Sequence, residues 1–587
     1  MHVLATAGHV DHGKSTLVRA LTGQNPDRLA EERRRNMTID LGFAWTTLDA
    51  GQKIAFVDVP GHADFVPNML AGIGPVPAVL FVVAADEGWM PQSAEHLAAL
   101  DALQVRHGLL VVTRSDLADP GPAGTQALAK MRTTSLRHVD RVAVSSTTGA
   151  GLEQLRHHLA ELVRDLAPPD ASGPVRLWVD RVFTVRGAGL VTTGTLPQGT
   201  VEVGDELVVA PRGIRVKVRG IQTLGTQTST TRGVARVALN LRGLGRDDIR
   251  RGDALLTPRR FLDTTVCDVR LHHTGDARMP KTLMLHIGAA TRAVHVRPLG
   301  TEAARLSFAP ALPLHIGDRA LLRDPGRHRI VTGVTVLDVQ PPELRRRGAA
   351  TLRARQLATL SGTQAEAQEL AHRRLVRRPL LEAMGVRVTS APVAADWLAD
   401  PGYWQEMAQR LTVLVSDHAA AQPYSDGLPL ETARQMLGLP EPALVAALVE
   451  LPLVLRQGRI VHQGEKLPEP LATAVRQVRD VLQRAPFRAP EAQDLAGLHL
   501  GAREIRRVVR AGLLLCLEEK VVLMPDAPQQ ALARLALLEQ PFTVSEATRA
   551  LDTTRRVSLP LLRHLDGQGL TLRLDDNRRE VVRRRGG

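Results

Sequence analysis

Short, almost continuous apolar runs open the chain: Val3–Ala7, Ile54–Val59, Val79–Ala84, Leu109–Thr113 and Val142–Ser145. Runs of that length predict strands buried on both faces of a parallel sheet. Between them, Ser93–Leu103 and Leu152–Leu166 place apolar residues at helical spacing. The break Ala167-Pro168-Pro169-Asp170 closes this α/β unit, set at 1–171. From Val175 to Gln340 the runs become short and β-branched, with turn pairs at Gly204-Asp205, Gly252-Asp253, Gly317-Asp318 and Pro325-Gly326. That pattern predicts two antiparallel β-barrels, at 174–258 and 259–343. After Pro341-Pro342 the period turns helical. Leu448–Val461, Val508–Leu523 and Leu561–Val582 share one plan: a helix end, a turn, an apolar strand, a polar turn and a returning strand. Recurrence at a period of about 60 residues predicts tandem winged-helix modules. We set them at 344–424, where the pattern is weakest, 425–468, 469–528 and 529–587.

Composition adds a partner class. The 587 residues carry a formal charge of +14, most of it from arginine, which favours a polyanionic partner. Cys267 and Cys516 lie far apart in apolar runs and read as reduced, buried thiols. No apolar run reaches the roughly 20 residues that span a bilayer, and chemistry-bearing residues begin at Gly8. A cytoplasmic, monomeric protein without membrane contact is the expectation.

Gly8-His9-Val10-Asp11-His12-Gly13-Lys14-Ser15-Thr16 matches a P-loop, following a predicted strand and preceding the helical segment Leu17–Leu21. Its backbone N–H groups would surround phosphates, Lys14 would reach the β- and γ-phosphates, and the Ser15 hydroxyl would ligate Mg²⁺. Asp58-Val59-Pro60-Gly61 ends another strand. There Asp58 would hold Mg²⁺ through water and the Gly61 N–H would sense the γ-phosphate. Thr113-Arg114-Ser115-Asp116 resembles the guanine signature, with Asp116 accepting from the base edge, and Ser145-Ser146 begins the loop over guanine O6. Four elements in this order identify a GTPase. Arg114 replaces the usual Lys, and Thr113 in place of Asn is expected to forfeit a loop contact.

These loops, with His62 after Gly61, resemble the translation-factor branch that includes elongation factor Tu. Met37-Thr38-Ile39-Asp40-Leu41-Gly42 and Met90-Pro91-Gln92-Ser93-Ala94-Glu95-His96-Leu97 resemble the bacterial selenocysteine-specific elongation factor family, with Asn36 where that family has glycine. Asp180–Val185 and Val191–Thr195 resemble the opening of its second domain. The resemblance implies that His62 positions the attacking water behind an apolar gate of Val10 and Met37. Thr38 completes the Mg²⁺ shell in the GTP state. It further implies an aminoacyl pocket of Asp180, Arg181 and Arg236, covered by Phe43, that prefers an ionised selenol over the neutral hydroxyl of serine.

The winged-helix tail is what an ordinary tRNA carrier lacks. Arg555, Arg556 and Arg563 on a helix, with Arg573, Arg578 and Arg579 on a wing, form an expected basic face for an RNA hairpin. Arg583–Arg585 reads as a disordered basic end. The combined expectation is GTP-dependent delivery of selenocysteyl-tRNA to the ribosome at UGA codons marked by an mRNA hairpin. Two alternatives stay open: another ribosomal GTPase, acting in rescue or initiation, and a GTP-gated RNA-binding regulator. Protection of the selenocysteyl ester but not the seryl ester separates them.

Overall fold

A computed structural model of the chain describes residues 1–26, 38, 40–48, 51–62, 65–187, 189–272, 279–422, 425–463, 469–574 and 578–582. They form two compact units, 1–391 with 396–398, and 392–395 with 399–587.

In the first unit a six-stranded sheet is built from β1 (His2–Gly8), β2 (Gly42–Thr47), β3 (Lys53–Asp58), β4 (Ala78–Ala84), β5 (His107–Thr113) and β6 (Asp140–Ala143). The order is β2-β3-β1-β4-β5-β6, and β2 alone runs antiparallel. β2 was not among the expected strands. Its Thr-Thr end and its place at the sheet edge leave it short of the apolar run that marks the central strands. The helices are α1 (Lys14–Thr22), α2 (Val66–Ile73), α3 (Pro91–Ala102), α4 (Pro120–Met131) and α5 (Leu152–Asp165). They cover both faces, so every residue of β4 is buried and the loops at the strands' carboxyl ends are left to bind ligands.

Residues 176–256 form an eight-stranded antiparallel sheet with a separate two-stranded ribbon, and 262–338 form a closed six-stranded barrel. The barrel rests against α3. His272 Nδ1 lies 2.9 Å from the Ala102 carbonyl oxygen, and Arg319 donates to the Gln104 carbonyl.

The module expected at 344–424 is divided between the two units. α6 (Ala349–Thr359), α7 (Glu366–Arg373) and α8 (Arg378–Ala383) pack on the closed barrel. Leu357 and Leu360 cover Leu299 and Leu337, while Leu370, Val376, Leu381 and Met384 join the barrel's own core. A buried ionic web fixes the join. Arg353 reaches Asp268 at 2.7 Å and Asp338 at 2.6 Å, Arg305 pairs with Asp268, and Arg373 pairs with Asp338. Burial alone would push the Asp338 carboxyl up, but hydrogen bonding with His372 and the charges of Arg373 and Arg353 hold it well below the usual carboxylate range. Such webs specify which surfaces meet more than they add stability.

The second unit holds three helical modules. The first runs from α9 (Pro401–Ala421) through α10 (Leu430–Leu437) and α11 (Pro442–Ala447) to the hairpin Leu453–Arg456 and Arg459–His462. It therefore begins at 401, not 425, because Met407, Leu411 and Val415 of α9 are buried. The next contains α12 (Glu469–Arg484), α13 (Ala492–Gly497) and α14 (Ala502–Arg510), closed by Leu515–Cys516 and Val522–Leu523. The last contains α15 (Ala527–Leu535), α16 (Val544–Ala550) and α17 (Arg555–Gly567), closed by Thr571–Arg573 and Arg579–Val581. One apolar core runs through these last two modules. Cys267 is buried and Cys516 partly so, both as free thiols. Among the described residues no helix is long and apolar enough to cross a membrane.

Candidate nucleotide, aminoacyl and RNA sites

The loop between β1 and α1 turns around Gly8, whose φ is +129°. A Cβ there would sit 2.1 Å from the Val82 carbonyl oxygen, so only glycine fits. Two supports from α3 hold the loop, the one from His96 fully buried. His96 Nδ1 accepts from the Gly8 N–H at 3.0 Å, and Gln92 Oε1 accepts from the Val10 N–H at 3.0 Å. Burial, with Lys14 and His9 adding to it, lowers His96 to about 3, so the ring is neutral and keeps the lone pair this bond needs. Sequence reasoning placed Gln92 and His96 in a family motif without giving them this task.

Lys14 is buried, and its Nζ donates to the carbonyls of Gly8 at 3.1 Å and His9 at 2.6 Å. Burial lowers the ammonium to about 8, against the pull of Asp58 and Asp11. Around it three oxygens converge: Ser15 Oγ donates to Asp58 Oδ2 at 2.6 Å and lies 2.9 Å from Thr38 Oγ1. Thr6, which the sequence did not mark, donates to Asp58 Oδ1 at 2.7 Å and fixes the carboxylate. A carboxylate and two hydroxyls suit a small hard cation. A Cβ on Gly61 would lie 2.6 Å from Lys14 Nζ and from the Val10 nitrogen, so only glycine lets the Asp58–Gly61 loop approach the P-loop this closely.

A cavity of about 590 Å³ runs from Lys14, Ser15 and Thr38 past Val10, Asp11, Gly13 and Thr16 to Thr113, Arg114, Asp116 and Ser146. Its length joins the phosphate end to the guanine end. Gly8, His9, His12, Asp58 and Ser145 are not in its wall; they support it from behind. His12 is fully buried, with Nδ1 3.4 Å from the Val82 oxygen, and burial lowers it to about 4. Its 3.5 Å approach to Glu87 is therefore a polar contact of a neutral ring. The Ser145 hydroxyl accepts from the Thr148 N–H at 3.1 Å, shaping the base loop.

At the guanine loop the Thr113 hydroxyl donates to the His12 carbonyl at 2.7 Å. Arg114 does more than lie along a base. Its guanidinium pairs with Asp86 at 2.9 Å and Glu87 at 2.7 Å and donates to the Asp11 carbonyl, tying guanine loop, β4–α3 loop and P-loop together. His62 is partly buried beside Phe65, with ring centroids 6.0 Å apart. Met37 of the expected gate, with Arg35 and Asn36, lies outside the described residues.

On the eight-stranded sheet, Arg236 forms a bidentate pair with Asp180, which also accepts from the Thr193 hydroxyl at 2.7 Å. The Arg236 guanidinium lies 3.8 Å from the Phe43 ring centroid and that of Arg181 lies 5.2 Å from it. All four expected residues thus come together. Phe43, Trp45, Arg181, Phe183 and Arg236 line a cavity of about 280 Å³. Asp40 anchors this edge: its carboxylate lies 2.9 Å from Arg181 Nε and 3.7 Å from Arg251.

The last module departs from its expected basic face. Arg579 is buried, and its Nε donates to Asp566 Oδ2 at 2.9 Å. Arg556 donates to the Ala489 and Pro490 carbonyls at 2.8 and 3.2 Å. Both hold the fold, because a strand end and a helix start turn their side chains inward. Arg563 is exposed but pairs with Glu518 at 2.9 Å; Arg555, Arg573 and Arg578 are exposed. The terminal Arg583–Arg585 lies outside the described residues.

With this geometry in place, comparisons with known proteins are decisive. The family described as the elongation factor Tu GTP binding domain matches residues 1–166, and that described as the elongation factor SelB winged helix matches residues 534–579. The selenocysteine-specific elongation factor of Escherichia coli strain K12 is 33% identical over 461 residues, covering 71% of this chain and 74% of the relative. The chain belongs to the selenocysteine-specific elongation factor family. As a member of that family it is a translational GTPase that binds GTP and GDP. The Desulfomicrobium baculatum factor of the same name is 36% identical over 401 residues, 66% of this chain and 63% of that relative's length. A crystal structure of a bacterial selenocysteine-specific elongation factor aligns with 99% of this chain and 100% of its own, with a TM-score of 0.70 and 25% identity.

Proposed function

We propose that this GTPase delivers selenocysteyl-tRNA to the ribosome at UGA codons marked by an mRNA hairpin, acting in the cytoplasm as a monomer. The observation that carries the reading is the Phe43 ring stacked on Arg236, at the start of the strand that follows the switch segment. It couples the covering of an aminoacyl pocket to the nucleotide site. Asp40, two residues from Thr38, supports the same coupling by pairing with Arg181 and Arg251 of the 176–256 sheet domain.

The charges in the pocket suit a selenolate. Arg236 is aimed by Asp180, and a bidentate pair leaves N–H donors over. Arg181, held by Asp40, sets a second guanidinium beside the Phe43 ring. A neutral serine hydroxyl offers less, so discrimination comes from charge-assisted hydrogen bonds that only a charged acceptor makes in full.

At the other end Ser15, Thr38 and Asp58 would hold Mg²⁺, with Asp58 acting through water. Bound there, the cation neutralises charge on the β- and γ-phosphate oxygens. Lys14 leaves its two carbonyls for phosphate, the Gly61 N–H senses the γ-phosphate, and His62 orients the attacking water once the ribosome moves it inward. Loss of the γ-phosphate frees Thr38, and with it the Asp40–Arg181 contact and the Phe43 cover. On the last module, exposed Arg555, Arg573 and Arg578 support contact with the hairpin backbone.

The test is hydrolysis protection of the aminoacyl ester. With GTP the chain protects selenocysteyl-tRNA and not seryl-tRNA; with GDP it protects neither. Arg236→Ala reduces affinity for selenocysteyl-tRNA by at least about tenfold, the size of one lost charge-assisted hydrogen bond, and leaves GTP affinity unchanged. Equal protection of both esters refutes the selenocysteine reading.

A further inference from the structure

The last module turns two of its arginines inward, while the junction between the two modules before it does the reverse. Arg503, Arg506, Arg507 and Arg510 fall at i, i+3, i+4 and i+7 of α14, on the face opposite buried Ile505 and Val508. α14 is the third helix of its module, the element that winged-helix proteins present to a nucleic acid. Facing it is the hairpin of the preceding module, with Arg456 and Arg459 at its tip. Between helix and hairpin lies a cleft of about 760 Å³.

Its chemistry narrows the occupant. Asp426 is the one acid in the wall, against Arg456, Arg459, Arg507 and Arg510. Contacts across the junction set the opening: Arg510 pairs with Asp426 at 2.6 Å and Arg507 donates to the Ser425 carbonyl at 3.2 Å. Arg459 is braced on the Gly427 carbonyl at 3.0 Å. Arg456, Arg503 and Arg506 are exposed. Among the described residues of the wall the one ring is the His462 imidazole, whose Nε2 lies 3.0 Å from the Ser416 hydroxyl, so guanidinium groups rather than a row of stacking rings dominate the lining. Guanidinium groups on two walls suit the two phosphate strands of a double helix.

We infer that the cleft between α14 and the Leu453–His462 hairpin is a second RNA surface, which grips the phosphate backbone of double-helical RNA without reading its sequence. The inference deepens the hairpin reading and rests on it for the source of the duplex, the stem. It assigns the earlier modules to the stem and leaves the loop to the last one. The stem contact supplies sequence-independent affinity and the loop contact supplies choice.

The experiment uses the full chain and two RNAs: a fully paired duplex of about 20 base pairs with no loop, and a hairpin with and without a substituted loop base. Binding is titrated across a series of KCl concentrations. Wild-type chain binds the duplex with a steep salt slope. The variant Arg456→Gln/Arg503→Gln/Arg506→Gln, whose thermal midpoint is checked against wild type, binds at least about tenfold more weakly with a slope smaller by about 2–3, close to one per lost phosphate contact. Asp426→Asn moves the other way, tightening duplex binding, which a misfolded variant does not do. The inference is overturned if wild type ignores the duplex or if the triple variant matches it in affinity and slope. Loop substitution is scored separately. If it changes nothing in either protein, the hairpin reading fails while the duplex titration still decides on the cleft.

Discussion

Lys14 and Arg579 are both buried cations in a chain of net charge +14, and they have opposite fates. Lys14 is held by two carbonyl oxygens, and burial has lowered its ammonium to about 8. Arg579 is held by the carboxylate of Asp566 at 2.9 Å, and its N–H groups face inward. A cation kept by neutral dipoles gains fully from an incoming anion; one paired with a carboxylate gains only through N–H donors that the pair leaves facing a cavity, and those of Arg579 face inward. Burial of charge alone therefore does not mark a binding site. What distinguishes the two is whether the partner is a counter-ion.

The largest effect that sharpens this contrast is at Lys14. Lys14→Ala lowers affinity for GTP and GDP by about 100-fold or more, the equivalent of a charge-assisted contact of about 3 kcal/mol, read by fluorescent nucleotide titration. The pH dependence follows. Phosphate raises the ammonium's pKa in the complex, so below about 8 it is protonated in both free and bound states and affinity is at its plateau. Above about 8 the free protein loses the proton, binding must take one up, and affinity falls by up to about tenfold per pH unit. A flat profile through pH 9, in wild type and variant alike, breaks the contrast.

Arg579→Gln comes next. Asp566 keeps about a fifth of its side chain in water, so the lost pair is screened and the cost is about 2 kcal/mol of stability. Chemical denaturation reads it. The salt slope for RNA stays at the wild-type value; a slope reduced by one unit would return Arg579 to the RNA face.

How far the sequence revealed these sites depended on how local each feature is. The P-loop, Asp58 and Asp116 were legible because their work is done by backbone turns and strand ends a few residues long. The supports behind them were not. Thr6 meets Asp58, Gln92 meets Val10 and His96 meets Gly8 across separations of 52, 82 and 88 residues, which no local pattern encodes. The aminoacyl cluster was reached by resemblance, and the structure added the Asp40 anchor. In the tail, helical period foresaw the modules but misplaced the first. Whether a helix belongs to the domain before or after it depends on which core its apolar face enters. Arg556 and Arg579 were misread for the same reason: an arginine looks alike in sequence whether it meets phosphate, carbonyl or carboxylate.

The smallest predicted effect lies at the guanine end of the same cavity. There Arg114 is paired with Asp86 and Glu87 across half-exposed contacts, with side-chain exposures of 29–35%. Such pairs contribute about 0.5 kcal/mol each, so Glu87→Gln should speed GDP release only about twofold to threefold. The change loosens the tie between guanine loop and P-loop, on the base side, so it accelerates GTP release by the same factor and spares hydrolysis of bound GTP. Screening supplies the control. In about 1 M salt, where the Debye length falls to about 3 Å, wild type and variant release GDP at the same rate. A Glu87→Gln effect that persisted undiminished in high salt would mean that the carboxylate acts through its hydrogen bond to Arg114 rather than its charge, and the base end would then resemble the phosphate end more closely than its exposure implies.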